Sequence, residues 1–122
     1  MHEYSLTRQI VSIVNRTAAE HGATRVTQVR LVVGEGGGIV PESVQTYFEQ
    51  IARGTPAEDA LLHVRLVPPE MRCPVCERNF VRPLFSFACP VCGTLGNPTD
   101  IGNEFYVEGV ELEIAETPAL KG

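Results

Sequence analysis

The chain has 122 residues, is 43% hydrophobic and 20% charged, and carries a formal net charge of −5. That is enough for one small soluble core and too little for two large domains. No apolar run approaches the roughly 20 residues that span a bilayer. The first residues lack the basic start and apolar stretch of a secretory signal, so a cytoplasmic location and no membrane partner are expected. Lys and Arg number 10 against 15 Asp and Glu, and most of the arginines fall in separate segments: Arg25 and Arg30, then Arg65, then Arg72, Arg78 and Arg82. Counterion release by clustered cations drives binding to polyanions, so no nucleic-acid partner is expected.

The first element is a helix over about Ser5 to His21. Leu6, Ile10, Ile13, Val14 and Thr17 recur at helical spacing, Ser5 suits the N-cap and Gly22 the stop. "RVTQVRLVVG" (Arg25 to Gly34) alternates as a strand, with Thr27, Val29, Leu31 and Val33 the more apolar set. "GEGGG" follows. Its glycines permit positive φ or close backbone approach, but no Lys or Thr follows as a phosphate loop requires. A flexible strand-to-helix loop is expected.

Pro41 opens a second helix with Val44, Tyr47, Phe48 and Ile51 on its apolar face and an end near Gly54. "TPAE" (Thr55 to Glu58) has the form of a capping box with Pro at the first helical position, which predicts a short helical turn. "LLHVRLV" (Leu61 to Val67) is a strand ended by Pro68 and Pro69. A cysteine segment spans about Met71 to Asn97, and "EFYVEGVELEI" (Glu104 to Ile114) is the closing strand.

This order predicts an α+β fold: a small three-stranded mixed sheet packed with two helices, plus an inserted zinc ribbon. The strand–helix–strand unit is expected to be a right-handed parallel crossover, with the last strand antiparallel. The expected boundaries are a discontinuous α/β domain of residues 1–69 and 98–116, a ribbon over 70–97, and a flexible tail over 117–122.

The four cysteines form two CPVC tetrapeptides, Cys73 and Cys76, then Cys89 and Cys92, twelve residues apart. A two-residue gap lets one knuckle turn offer two thiolates to one metal. Two knuckles complete a closed tetrahedral site, which points to structural Zn(II) with no open place for catalysis. The stretch "ERNFVRPLFSFA" is expected to form a short hairpin whose Phe80, Phe85 and Phe87 shield the metal. Two rival chemistries fit less well. A redox dithiol wants a helix N-terminus to lower one thiol pKa. A ribbon used as a nucleic-acid- or protein-binding module remains the alternative, with the acidic balance against nucleic acid.

"MHEYS" opens the chain. The α-amino group of Met1 and the imidazole of His2 are both accessible as neutral nitrogen donors near pH 7. With the amide nitrogen of His2 between them they form a tridentate set, which suits a tetragonal ion, Ni(II) or Cu(II). The amide or carboxylate of Glu3 then supplies a fourth place. From the residues alone a second reading stands beside this one: His2 as an ordinary polar residue before a helix, with Glu3 favourable through the helix dipole. His21 and His63 have no ligand-type neighbour at a metal-binding spacing.

"MHEYS", "HGATRVTQVRLVVGE", "PESVQTYFEQIARGTPAEDALL", CxxC followed by CPxCG, and "GNEFYVEGVELE" occur in this order from Met1 to about Ile114. Together they resemble the HypA/HybF family of nickel-incorporation chaperones for [NiFe]-hydrogenase maturation. The resemblance implies a non-catalytic nickel metallochaperone. It assigns transient Ni(II) to the Met1–His2–Glu3 segment, with His2 indispensable and Glu3 supporting, and structural Zn(II) to Cys73, Cys76, Cys89 and Cys92. It implies as partners a HypB-like maturation GTPase and the hydrogenase large-subunit precursor. Some members also serve urease maturation, which adds urease accessory proteins as candidates. A homodimer with exchanged ribbons is a further option, because the ribbon is inserted between two strands. The glycine-rich Gly36–Gly38 stretch departs from the expected family pattern.

Overall fold

A computed structural model describes residues 2–114, with His2 as backbone only. Met1 and residues 115–122, including the expected tail, lie outside the described residues. Helix α1 spans His2–Glu20, strand β1 Arg25–Gly34, helix α2 Pro41–Ile51, and strand β2 Leu61–Val67. Strands β3 (Glu70–Cys73), β4 (Arg78–Val81), β5 (Asn97–Pro98) and β6 (Phe105–Glu113) follow. The strands form a mixed three-stranded sheet, in the order β2-β1-β6, and a small antiparallel sheet, in the order β4-β3-β5. The α+β architecture with an added ribbon is therefore the one expected.

The described residues divide into two compact units. One comprises residues 2–31, 40–64 and 107–114, and the other Val32–Ile39 and Arg65–Tyr106. In the first, α1 and α2 pack together. Ile10, Val11, Val14 and Ala18 of α1, Val26, Val29 and Leu31 of β1, and Val44 and Phe48 of α2 are buried. The stripe on α1 is rotated from the expected one: Ile13 is exposed and Thr7 is fully buried. Thr7 tolerates this because its hydroxyl donates to the carbonyl of Glu3 at 2.6 Å, one helical turn back.

The helix already includes Glu3 and Tyr4, so Ser5 is not the N-cap; it lies inside α1. Glu3 sits in the first turn, where a carboxylate is favoured by the unpaired N–H groups. The α1 end is as expected: Ala23 N–H donates to Ala18 O at 2.9 Å and Gly22 N–H to Ala19 O at 3.2 Å. "TPAE" forms turns without a helix. The Thr55 hydroxyl donates to Ala52 O at 2.6 Å and accepts from Ala57 N–H at 3.2 Å, which spends the cap on a single turn.

The glycine-rich loop is not an open linker. Glu35–Gly37 makes a 3-10 turn, and Gly36 N–H donates to Gly102 O at 2.7 Å. Gly34 N–H donates to Glu104 O at the same distance. The alternation of β1 also ends early: Leu31, Val32, Val33 and Gly34 are all buried. No described helix is long and apolar enough to cross a membrane.

Candidate metal centre

Strand β3 delivers Cys73 at its last position, and β4 returns antiparallel after the first knuckle, with Met71 opposite Phe80 and Cys73 opposite Arg78. The hairpin is thus β3 with β4, not one within "ERNFVRPLFSFA". The two knuckles have the same backbone logic. Glu77 N–H donates to Cys73 O at 2.9 Å, and Gly93 N–H to Cys89 O at 2.8 Å. The residue after the second cysteine is left-handed in both, at φ +58 for Glu77 and φ +80 for Gly93. Glycine at 93 marks that position in the sequence, and its counterpart at 77 is a side-chain-bearing residue in the same conformation.

The four Sγ atoms lie within 4.8 Å of one another. Cys73 Sγ is 3.5 Å from Cys92 Sγ, and Cys76 Sγ is 4.0 Å from Cys89 Sγ. A tetrahedron with metal–sulfur bonds of about 2.3 Å has edges of about 3.8 Å, so these separations fit one thiolate-bound ion. All four cysteines are free of disulfides. Backbone N–H groups support the sulfurs: Cys76 N–H to Cys73 Sγ at 3.3 Å and Val91 N–H to Cys89 Sγ at 3.4 Å.

Cys73 and Cys89 are buried, while Cys92 is exposed. Thr94, which the sequence reading missed, borders that open side, with its Oγ1 3.3 Å from Cys92 Sγ. This contact is the first cause that lowers the Cys92 thiol to about 6 in the metal-free cluster. Hydrogen bonding to Cys92 is the first cause that raises Cys76 to about 12. Backbone hydrogen bonds from Cys92 and Val91 lower Cys89. The metal-free cluster therefore prefers a mixed thiol–thiolate state, and a bound cation displaces the remaining protons.

The expected aromatic shield does not form. Phe85 is 98% exposed and Phe87 is 54% exposed. Phe80 alone turns inward, where its ring lies against Gly96. Phe87 instead carries the Arg82 guanidinium over its face, 5.4 Å from the ring centre.

The opening segment lies in the other unit. Its two terminal donors, Met1 and the His2 side chain, are outside the described residues. As amides of the first turn of α1, the N–H groups of His2 and Glu3 have no intrahelical carbonyl to bond. The Glu3 carboxylate accepts the Val40 N–H at 2.7 Å, and Tyr4 meets Tyr47 edge-on at 5.2 Å. Neither partner was legible in the spacing of the sequence.

The family described as "Hydrogenase/urease nickel incorporation, metallochaperone, hypA" matches residues 1–112. The chain belongs to the HypA family. A hydrogenase maturation factor HypA from Caldanaerobacter subterraneus subsp. tengcongensis is 40% identical over 93% of this chain and 100% of its own length. Another from a Geobacter species is also 40% identical, with the same coverage of both chains. The solution structure of the Ni metallochaperone HypA from Helicobacter pylori aligns with a TM-score of 0.64 at 22% identity, over 93% of this chain and 98% of that one. That likeness supports the fold. Membership makes this a HypA nickel metallochaperone of hydrogenase/urease maturation: a carrier, not an enzyme, with a four-cysteine cluster.

Proposed function

We propose that this HypA protein carries Ni(II) on its first residues and keeps Zn(II) in its ribbon, so that cargo and structural metal never share ligands. The donor sets argue for the division. Four soft thiolates in tetrahedral reach suit zinc and leave no exchangeable place. An amine, an amide nitrogen and an imidazole in sequence suit a tetragonal ion such as Ni(II), with a place left for a fourth donor.

The observation that carries the nickel reading is the start of α1 at His2. An amide inside a helix would have to give up an intrahelical bond to bind a metal. The amides of the first turn give up none. Met1 supplies the amine, His2 the amide and the imidazole, and Glu3 supports them. The ion leaves when an incoming donor takes the fourth place and the tridentate set opens stepwise. A HypB-like GTPase and the hydrogenase large-subunit precursor are the partners this scheme requires, with urease accessory proteins in the same role where urease is served. On this reading the cytoplasm is where the transfer takes place.

The test is metal content and nickel titration of the zinc-loaded protein and of His2→Ala. The account expects His2→Ala to keep one zinc and lose tight nickel binding. Unchanged nickel affinity in His2→Ala would overturn the site.

A further inference from the structure

Glu3 stands next to the proposed nickel donors, which makes its carboxylate the obvious fourth ligand. The structure gives that carboxylate another occupation. Oε2 accepts the backbone N–H of Val40 at 2.7 Å, the short distance of a charge-assisted bond. Val40 is the N-cap residue of α2, extended at φ −97 and ψ 114, and α2 has no side-chain cap of its own. Glu3 from α1 thus captures an N–H at the entry to α2. One residue on, the Tyr4 ring packs edge-on against Tyr47 of α2 at 83° between planes. Thr7 closes the same turn from below by its bond to Glu3 O. Three contacts within little more than the first turn therefore fix the direction in which α1 begins.

We infer that Glu3 is a positioning residue for nickel: it acts through Val40, outside the coordination sphere, and leaves the fourth place to the incoming donor. This rests on the N-terminal site proposed above. A carboxylate that gave Oε2 to the ion would release Val40 and strip the α2 entry of its cap; one that used Oε1 would have to hold the ion and the Val40 N–H at once. A carboxylate that stays on Val40 holds the first turn still, so that the His2 amide and imidazole reach one ion without paying for order at the moment of binding.

Glutamine separates the two roles. Its carbonyl oxygen still accepts the Val40 N–H, but it is a neutral and poor ligand. The experiment titrates Ni(II) into the wild type, His2→Ala, Glu3→Gln and Glu3→Ala, and follows hydrogen exchange of the peptide containing Val40 with and without nickel. Loss of binding in His2→Ala establishes the site itself. Positioning then predicts that Glu3→Gln stays within about threefold of wild type, that Glu3→Ala falls about tenfold, and that the Val40 amide remains protected when nickel is bound. Glu3→Gln as weak as Glu3→Ala, Glu3→Ala as tight as wild type, or nickel-induced exposure of Val40 would each overturn the inference. Normal binding by His2→Ala would instead remove the N-terminal site on which it rests.

Discussion

Replacing Gly34 by alanine tests the packing of the glycine-rich loop more sharply than any core truncation. A Cβ on Gly34 would lie 2.1 Å from Gly102 O, 2.2 Å from Gly102 C and 2.5 Å from Asn103 N. Ordinary contact begins near 3.4 Å, so one backbone must retreat by more than an ångström. Gly102 cannot retreat freely, because its own Cβ position is already 2.5 Å from Pro69 Cα. The retreat breaks the Gly34–Glu104 and Gly36–Gly102 hydrogen bonds, both 2.7 Å. Each contributes about 1 kcal/mol net, and a group left buried without a partner costs about 1–3 kcal/mol more, so the loss is at least about 3 kcal/mol. For a chain of this size that is a fall of roughly 10 °C in melting temperature. Gly37 is the control: nothing lies within 4 Å of its Cβ position and its φ is not positive, so Gly37→Ala should be neutral or slightly stabilising. Thermal melts followed by circular dichroism, with both variants zinc-loaded, decide it. A Gly34→Ala melt within about 2 °C of wild type would refute the close-approach argument.

Glu77→Gly should stabilise the zinc-loaded ribbon by about 1 kcal/mol, because glycine removes the cost of a left-handed side-chain-bearing residue; a guanidinium titration reads this, and destabilisation would count against a shared knuckle geometry. In metal-free protein, a thiol lowered to about 6 is largely thiolate at neutral pH and one raised to about 12 is not, so iodoacetamide should label the exposed Cys92 first and well before Cys76. The sign follows: the contribution of Cys92 to the metal-free fold is full above its unfolded pKa and is lost as pH falls through about 6. Thr94→Val should slow Cys92 labelling near neutral pH, as mapped by mass spectrometry; an unchanged labelling order would remove Thr94 as the cause. Nickel should leave on acidification from about pH 7.5 to 6, where amine and imidazole take protons, while zinc stays bound; nickel affinity that is flat across that range would contradict nitrogen ligation.

The fold was legible where pattern and chemistry agreed. Pro41 at the head of α2, Pro68 and Pro69 after β2, and the alternation from Arg25 placed their elements because each acts locally. Paired CPVC spacing likewise placed four sulfurs in one cluster, since two-residue gaps admit few other geometries. What failed was decided at a distance. Ser5 looks like a cap only until Thr7 bonds Glu3 O and Glu3 reaches Val40, a partner 37 residues away. Ile13 fits the helical stripe, yet which side of α1 is buried depends on where α2 packs. Phe85 reads as a shield because aromatic residues are usually inside, but a left-handed backbone at φ +60 turns it outward. The glycines at the end of β1 and just after it allow freedom in the sequence and provide contact in the fold, since Gly34 and Gly36 face Gly102, which no local pattern announces.

The most direct test of the account is nickel binding by the native chain against the same chain with one glycine added before Met1, both zinc-loaded. The account predicts that the added residue leaves the ribbon and its zinc intact but displaces the terminal amine from the His2 amide and imidazole, so that nickel binding weakens at least tenfold, about 1.4 kcal/mol. Equal affinity in the two proteins would contradict the claim that the first residues hold the cargo.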